Sequence, residues 1–199
     1  MTSFLRNRLW PAVGLLLALT LITGFVYPLV VTAVAQVVFP SQANGSYVVT
    51  GDGRSVGSSL IGQAFSQPGY FWGRPSAAGA TDENPLGYDG MSSAGSNLGP
   101  TSQELLDRVA ASVDALRAAH GDTPIPVELV TTSASGLDPD ISPVAAEYQV
   151  ARVAQARGIS EDDVRAAVER HTQQPTLGFL GEPRVNVLLL NLDLDGLLR

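Results

Sequence analysis

Leu9 to Gly51 reads LWPAVGLLLALTLITGFVYPLVVTAVAQVVFPSQANGSYVVTG and contains no charged side chain. Its apolar core runs from Trp10 to Phe39. A helix needs roughly 20 apolar residues to cross about 30 Å of hydrocarbon, so this stretch is long enough to span a membrane with tilt or overhang. Trp10 and Phe39 stand at its two ends, where interfacial aromatics are expected. Gly14, Gly24 and Pro28 would weaken a water-exposed helix, but a membrane span tolerates them, and small residues admit a close neighbouring helix. A cleaved signal peptide is the rival reading: Arg6 and Arg8 form a basic start, and Ala33-Val34-Ala35 has the small-x-small form of a cleavage site. The apolar stretch before that site is about twice the usual 7–15 residues, which favours a retained anchor.

Charge orients the anchor. Arg6 and Arg8 precede it with no acid among them, while Asp52 and Arg54 open the other side. The positive-inside bias then predicts residues 1–9 in the cytoplasm, a transmembrane helix over 10–39, and residues 40–199 outside. All twelve bases are Arg. Without Arg6 and Arg8, ten remain against nineteen acids, so the outer part carries a formal −9. Nucleic acid is not an expected partner, because phosphate binding needs clustered positive charge. The chain has no Cys, and His120 and His171 are its two imidazoles, which argues against thiolate and multi-histidine metal sites.

Beyond the anchor the pattern predicts a single mixed α+β domain. Ser46 to Thr50 reads as a short strand closed by a turn at Gly51-Asp52-Gly53; Ser59 to Phe65 is a second short apolar segment. Ser66 to Pro100 holds 7 Gly and 4 Pro in 35 residues, yet carries Tyr70, Phe71, Trp72 and Tyr88. A disordered linker would be poor in aromatics, so this is an ordered loop whose rings either cap the domain's own core or anchor a partner. Thr101 and Glu104 form a capping box for a helix with Leu105, Val109, Val113 and Leu116 on one face. Ser142 and Pro143 open a second helix that stops at Gly158, and Ser160 with Asp163 opens a third through Val164, Val168 and His171. Val127 to Thr131 and Val185 to Leu190 are the predicted strands between and after them.

Catalytic motifs are weak. Gly53-Arg54-Ser55-Val56-Gly57 matches the nucleophile-elbow pattern, with His120 or His171 as conceivable bases, but three fixed positions in a chain of 20 Gly arise easily by chance. Gly51, Gly53 and Gly57 miss the dinucleotide fingerprint by one position, and there is no P-loop. An Asp-Lys-Thr-Gly phosphorylation sequence is also absent. Asp138-Pro139-Asp140 suits a turn better than a calcium loop.

Taken in order, several blocks resemble KdpC, the small C-subunit family of the bacterial Kdp potassium-pumping ATPase. They include Leu21-Ile22-Thr23-Gly24 with Tyr27-Pro28-Leu29, Gln42-Ala43-Asn44-Gly45-Ser46, and Leu60-Ile61-Gly62-Gln63. Tyr70-Phe71 with Gly73-Arg74-Pro75-Ser76-Ala77, Gly95-Ser96-Asn97-Leu98 and Pro126 to Thr131 follow. Ser133 to Asp138, Gln149 with Arg152, and Val185-Asn186-Val187 with Leu190-Asn191-Leu192 complete the series. Ala94 and Ser102 depart from the family's usual Gly and Asn.

The resemblance implies a cell-membrane complex with two partners, a channel-like potassium-conducting subunit and a P-type ATPase subunit. Potassium would be the transported ion, and ATP would act through the ATPase subunit. It implies a non-catalytic accessory subunit needed for assembly, described for the family as a catalytic chaperone that raises the ATP affinity of the ATPase subunit. Gln149 and Arg152 are by resemblance the nucleotide contacts, which conflicts with a domain outside the cytoplasm. Tyr70, Phe71, Trp72, Arg74, Ser96 and Asn97 are the expected partner interface, with Tyr70 to Ser76 docking the outer domain over the potassium entrance. The −9 charge would raise local cation concentration only within about 8 Å at physiological salt.

Overall fold

The computed structural model of the chain describes residues 2–81 and 83–198. Met1 and Arg199, the ends of the predicted cytoplasmic and outer segments, lie outside them, as does Asp82. The chain divides into two compact units, residues 1–47 and residues 48–199.

The first unit is helical. Helix α1 (Thr2–Leu21) passes through a π-helical turn at Ile22–Val26 into α2 (Tyr27–Val38). Residues Arg6–Val38, 33 in all, are long and apolar enough to cross a membrane. The wide turn sits just before Pro28, which has no N–H to continue the α ladder. Thr23 Oγ1 donates to the Leu19 carbonyl at 2.7 Å, so the hydroxyl needs no outside acceptor. Phe39, at φ −133°, ends the helix, and Pro40 opens the single turn α3 (Pro40–Ala43). Asn44 closes the exit by donating to the Pro40 carbonyl and to Gln36 Oε1 at 2.7 and 3.0 Å.

Strands β1 (Tyr47–Val49) and β2 (Ser55–Ser58) pair around the predicted Gly-rich turn, where Thr50 N donates to Arg54 O at 2.9 Å. The second unit is built on helices α4 (Gln103–His120), α5 (Pro143–Arg157), α6 (Glu161–Arg170) and α7 (Val187–Leu194). Strands β3 (Asp140–Ile141), β4 (Thr172–Gln173) and β5 (Arg184–Asn186) form a small antiparallel sheet in the order β3-β5-β4. Ile141 and Thr172 both pair with Val185, which is fully buried at the sheet centre. The core joins Phe71, Ile141, Val150, Val153, Val164, Val185 and Leu190.

The mixed helix-and-sheet class matches the expectation, and α5 and α6 start where the sequence placed them. Ser142 and Ser160 accept from the N–H groups of Ala145 and Asp163, and Gly158 ends α5 in the left-handed conformation. Three local expectations change. The cap of α4 is Ser102, because a turn bond from Ser102 N to Gly99 O holds Thr101 outside the helix. Val127–Leu129 is a 3-10 turn rather than a strand; Leu129 N bonds Pro126 O and Val130 N bonds Val127 O, closing the segment on itself.

Val185 to Leu190 is strand only through Asn186. Asn186 then caps α7 by accepting from Leu189 N at 3.1 Å, and Val187, Leu188, Leu190 and Leu192 are all buried. A short apolar run buried on every side has no periodicity that separates strand from helix.

Candidate functional site

The aromatic segment, α5 and α7 meet in one cluster, assembled by two side-chain amides. On α7, Asn191 accepts from Phe71 N at 2.8 Å and donates to Phe71 O at 3.0 Å. On α5, Gln149 does the same for the next residue, accepting from Trp72 N at 2.8 Å and donating to Trp72 O at 3.0 Å. Each amide presents the donor–acceptor pair that a neighbouring strand would offer. Residues 71–72 are therefore held on two sides without belonging to a sheet. The loop is ordered for this reason, despite its Gly and Pro content.

Gln149 is fully buried, and its amide is saturated. Its second N–H donates to Ala145 O at 3.2 Å, and its oxygen also accepts from an Arg152 guanidinium nitrogen at 2.7 Å. Arg152, also buried, donates to Pro68 O, to Tyr70 O at 3.0 Å and to His120 Nε2 at 3.1 Å. Its guanidinium carbon lies 3.9 Å from the Trp72 ring centroid. These partners are all neutral, so the ring face and carbonyl dipoles offset the burial of the cation. Burial lowers the Arg152 pKa to about 10, which leaves it protonated at neutral pH.

His120, the last residue of α4, packs 4.4 Å from the Tyr148 ring and edge-on to Trp72. Burial first, and the Arg152 charge second, depress its imidazole to about 4. The neutral ring is the form that can accept the Arg152 N–H. Arg157 closes the other side of the segment by donating to Gly69 O, to Leu194 O and to Asp195 at 2.8 Å. Tyr70 adds its hydroxyl to Asp195 at 3.0 Å, and that hydrogen bond raises the phenol pKa.

The expected interface residues divide between core and rim. Phe71 is fully buried, so of the two readings of the aromatics its ring takes the core one. Tyr70 and Trp72 are half-buried and commit their polar groups within the domain. Arg74 pairs with Asp138 at 3.0 Å, and Tyr88 donates to Arg74 O. Burial, followed by the nearby Asp138 carboxylate, pushes the Tyr88 phenol up to about 12. Ser96 is half-buried and Asn97 exposed at φ +52°, on a separate loop that begins where Gly95 packs against Ala134.

Phe65, Trp72, Arg74, Leu86 and Tyr88 line an apolar recess of about 340 Å³. The left-handed turn at Gly136 (φ +68°) lies against Ala94 O and Ala78 N and leaves no space for a Cβ.

The serine motif lacks the elbow's geometry: Ser55 opens strand β2 instead of standing on a strand-to-helix turn. His171 caps α6 with its Nε2 3.1 Å from Asp193, while His120 is engaged by Arg152. Among the described residues no group of three His, Asp or Glu is placed to hold a metal ion. The resemblance names Gln149 and Arg152 as nucleotide contacts rather than as holders of this loop, and it does not single out Asn191. The signal was a polar residue inside the apolar run Leu190-Asn191-Leu192.

Comparisons with known proteins agree along nearly the whole chain. The family model described as KdpC, K+-transporting ATPase, c chain, matches residues 9–196. A potassium-transporting ATPase KdpC subunit from Sorangium cellulosum is 62% identical over 191 residues, covering 95% of this chain and 97% of the relative. Namesakes from Rhodopseudomonas palustris and Polaromonas naphthalenivorans are 56% and 55% identical, with 93% and 97% of this chain covered and 96% of each relative. The chain belongs to the KdpC family, the C chain of the potassium-transporting ATPase.

Proposed function

We propose that the chain is a non-catalytic accessory subunit of its ATPase. It assembles with a channel-like potassium-conducting subunit and a P-type ATPase subunit. In this reading Arg6 and Arg8 hold the start in the cytoplasm, residues 10–39 cross the membrane, and the domain from residue 40 onward faces the side from which potassium is taken up. The observation that carries the sidedness is the charge pattern: two arginines before an uncharged span and a formal −9 after it. The saturated Gln149 amide supports an assembly role over a direct nucleotide contact. Reaching ATP would require Gln149 to release Trp72, whose backbone it holds at both N–H and C=O. Any effect on ATP affinity then passes through the P-type subunit. Ser55 within a strand, and both imidazoles engaged elsewhere, support the absence of a hydrolytic role. The apolar recess beside Trp72 and Tyr88 suits a partner's side chain and gives the Tyr70 to Ser76 segment a docking role through its rim.

A reporter fused after Arg199 tests this, in cells that also express the two larger subunits. Alkaline phosphatase should be active there and a cytoplasmic fluorescent reporter dark, with the subunit co-purifying with both partners. A bright cytoplasmic reporter with inactive phosphatase would refute the topology and restore direct access to ATP.

A further inference from the structure

Helix α4 is the longest helix of the second unit and the most lightly held. Of its 18 residues Leu116 alone is buried, whereas α5 buries seven of 15. Val109 and Val113 add partial contacts on the same face. Its other side-chain hydrogen bonds stay within the helix: Gln103 to Asp107 at 2.8 Å and Ser112 to Arg108 O at 3.0 Å. Among the described residues, the polar tie from α4 to the rest of the domain is His120, at its last position.

His120 makes that tie as an acceptor. Its Nε2 takes the Arg152 Nε–H at 3.1 Å, so the ring proton sits on Nδ1, the nitrogen left to bond the Tyr148 backbone. A second proton on the ring would set N–H against N–H and cation against cation across that contact. The surroundings offer an imidazolium no counter-charge. On α5 the ionisable neighbours are Arg152 and Tyr148. On the aromatic segment Trp72 meets the ring, while the Tyr70 hydroxyl is turned to Asp195. On α4 itself Arg117 lies one turn back, 4.0 Å from Asp122. His171 is the contrast, with an Asp193 carboxylate 3.1 Å from its Nε2.

Of the two partners His120 is the one free to move. The Arg152 guanidinium is also held by Pro68 O, Tyr70 O, Gln149 and the Trp72 ring. His120 is followed by Gly121, at φ +73° with open space around it, where the chain can hinge. Arg108 Nε on α4 and the Tyr148 hydroxyl on α5 are each buried without a hydrogen-bond partner. Water reached on opening would satisfy both and offset part of the cost.

We propose that α4 is a proton-released flap: protonation of His120 breaks its bond to Arg152 and lets the C-terminal half of α4 swing away from α5 while α5, α6 and β5 stay folded. Helix α4 contributes Ala115 to the wall of the recess beside Trp72, so its release widens that recess. The flap depends on contacts within this domain, and it stands or falls apart from the topology and the assembly proposed above.

Hydrogen exchange read by mass spectrometry tests this on the full chain in detergent micelles at pH 7.5, 6.0 and 4.5, with intrinsic exchange rates divided out. The imidazole takes its proton near pH 6.5 when α4 is open and near 4 when it is closed. The open population should therefore rise about 4-fold from pH 7.5 to 6.0 and about 70-fold to pH 4.5. Protection over residues 109–120 should fall by these factors and stay below that of α5 throughout, as for a segment that opens without the core. His120→Gln keeps an acceptor for Arg152 and should leave α4 protection nearly level with pH. Equal protection of α4 and α5 in the parent would overturn the flap, because α4 would then open only with the whole domain. A parent α4 that does not respond to pH, or a response unchanged in His120→Gln, would overturn the proton as its trigger.

Discussion

Gln149→Ala separates a structural amide from a nucleotide contact. The truncation strands three partner groups: Trp72 N–H, Trp72 C=O and one guanidinium nitrogen of Arg152. Ala145 O keeps its helical bond and is not counted. A buried polar group left without its partner costs about 1–3 kcal/mol. Trp72 is half-buried and water can reach part of its backbone, so the lower end applies, about 3 kcal/mol for the three. Loss of buried methylene packing adds about 0.8 kcal/mol. The sum, about 3–4 kcal/mol, is a large share of the 5–15 kcal/mol that holds a domain folded. With a urea m-value of about 1–3 kcal/mol/M, the midpoint should fall by about 1 M or more. Trp10 and Trp72 are the two tryptophans; Trp10→Phe therefore leaves Trp72 fluorescence as a reporter of the cluster. A shift below about 0.3 M accompanied by weakened ATP binding of the whole complex would assign the amide to nucleotide and refute the reasoning.

Two further outcomes follow from the same geometry. Gly136→Ala must place a Cβ against Ala94 O and Ala78 N at φ +68°; thermal unfolding should show a loss of more than about 2 kcal/mol. The depressed His120 pKa makes stability pH-dependent. The unfolded imidazole takes its proton near pH 6.5 and the folded one only near 4, so its contribution is complete above about pH 6.5 and lost as pH falls toward 4. His120→Gln keeps an acceptor for Arg152 without the titration. Urea midpoints at pH 7.5, 6 and 4.5 should therefore fall more steeply for the parent than for the variant, and parallel curves would contradict the linkage.

The features legible in the sequence were those encoded within a few residues. An uncharged apolar run long enough to cross a bilayer is recognisable from composition alone. Ser142 with Pro143, Ser160 with Asp163, and Gly158 mark helix ends because capping is a bond between near neighbours. The family resemblance is carried by the order of short sequence blocks along the chain and needs no tertiary contact. What tertiary structure decided were the outcomes set by distant partners. Val187 to Leu190 became helix because Asn186 caps it and the core surrounds it, though its local pattern suits a strand equally. Gln149 and Asn191 lie 42 positions apart in the sequence, yet they grip consecutive residues of a loop 77 and 120 positions upstream. Hydrophobic periodicity reports which face is buried; it carries no record of which buried polar group will meet which backbone, because that pairing exists only once the chain has closed.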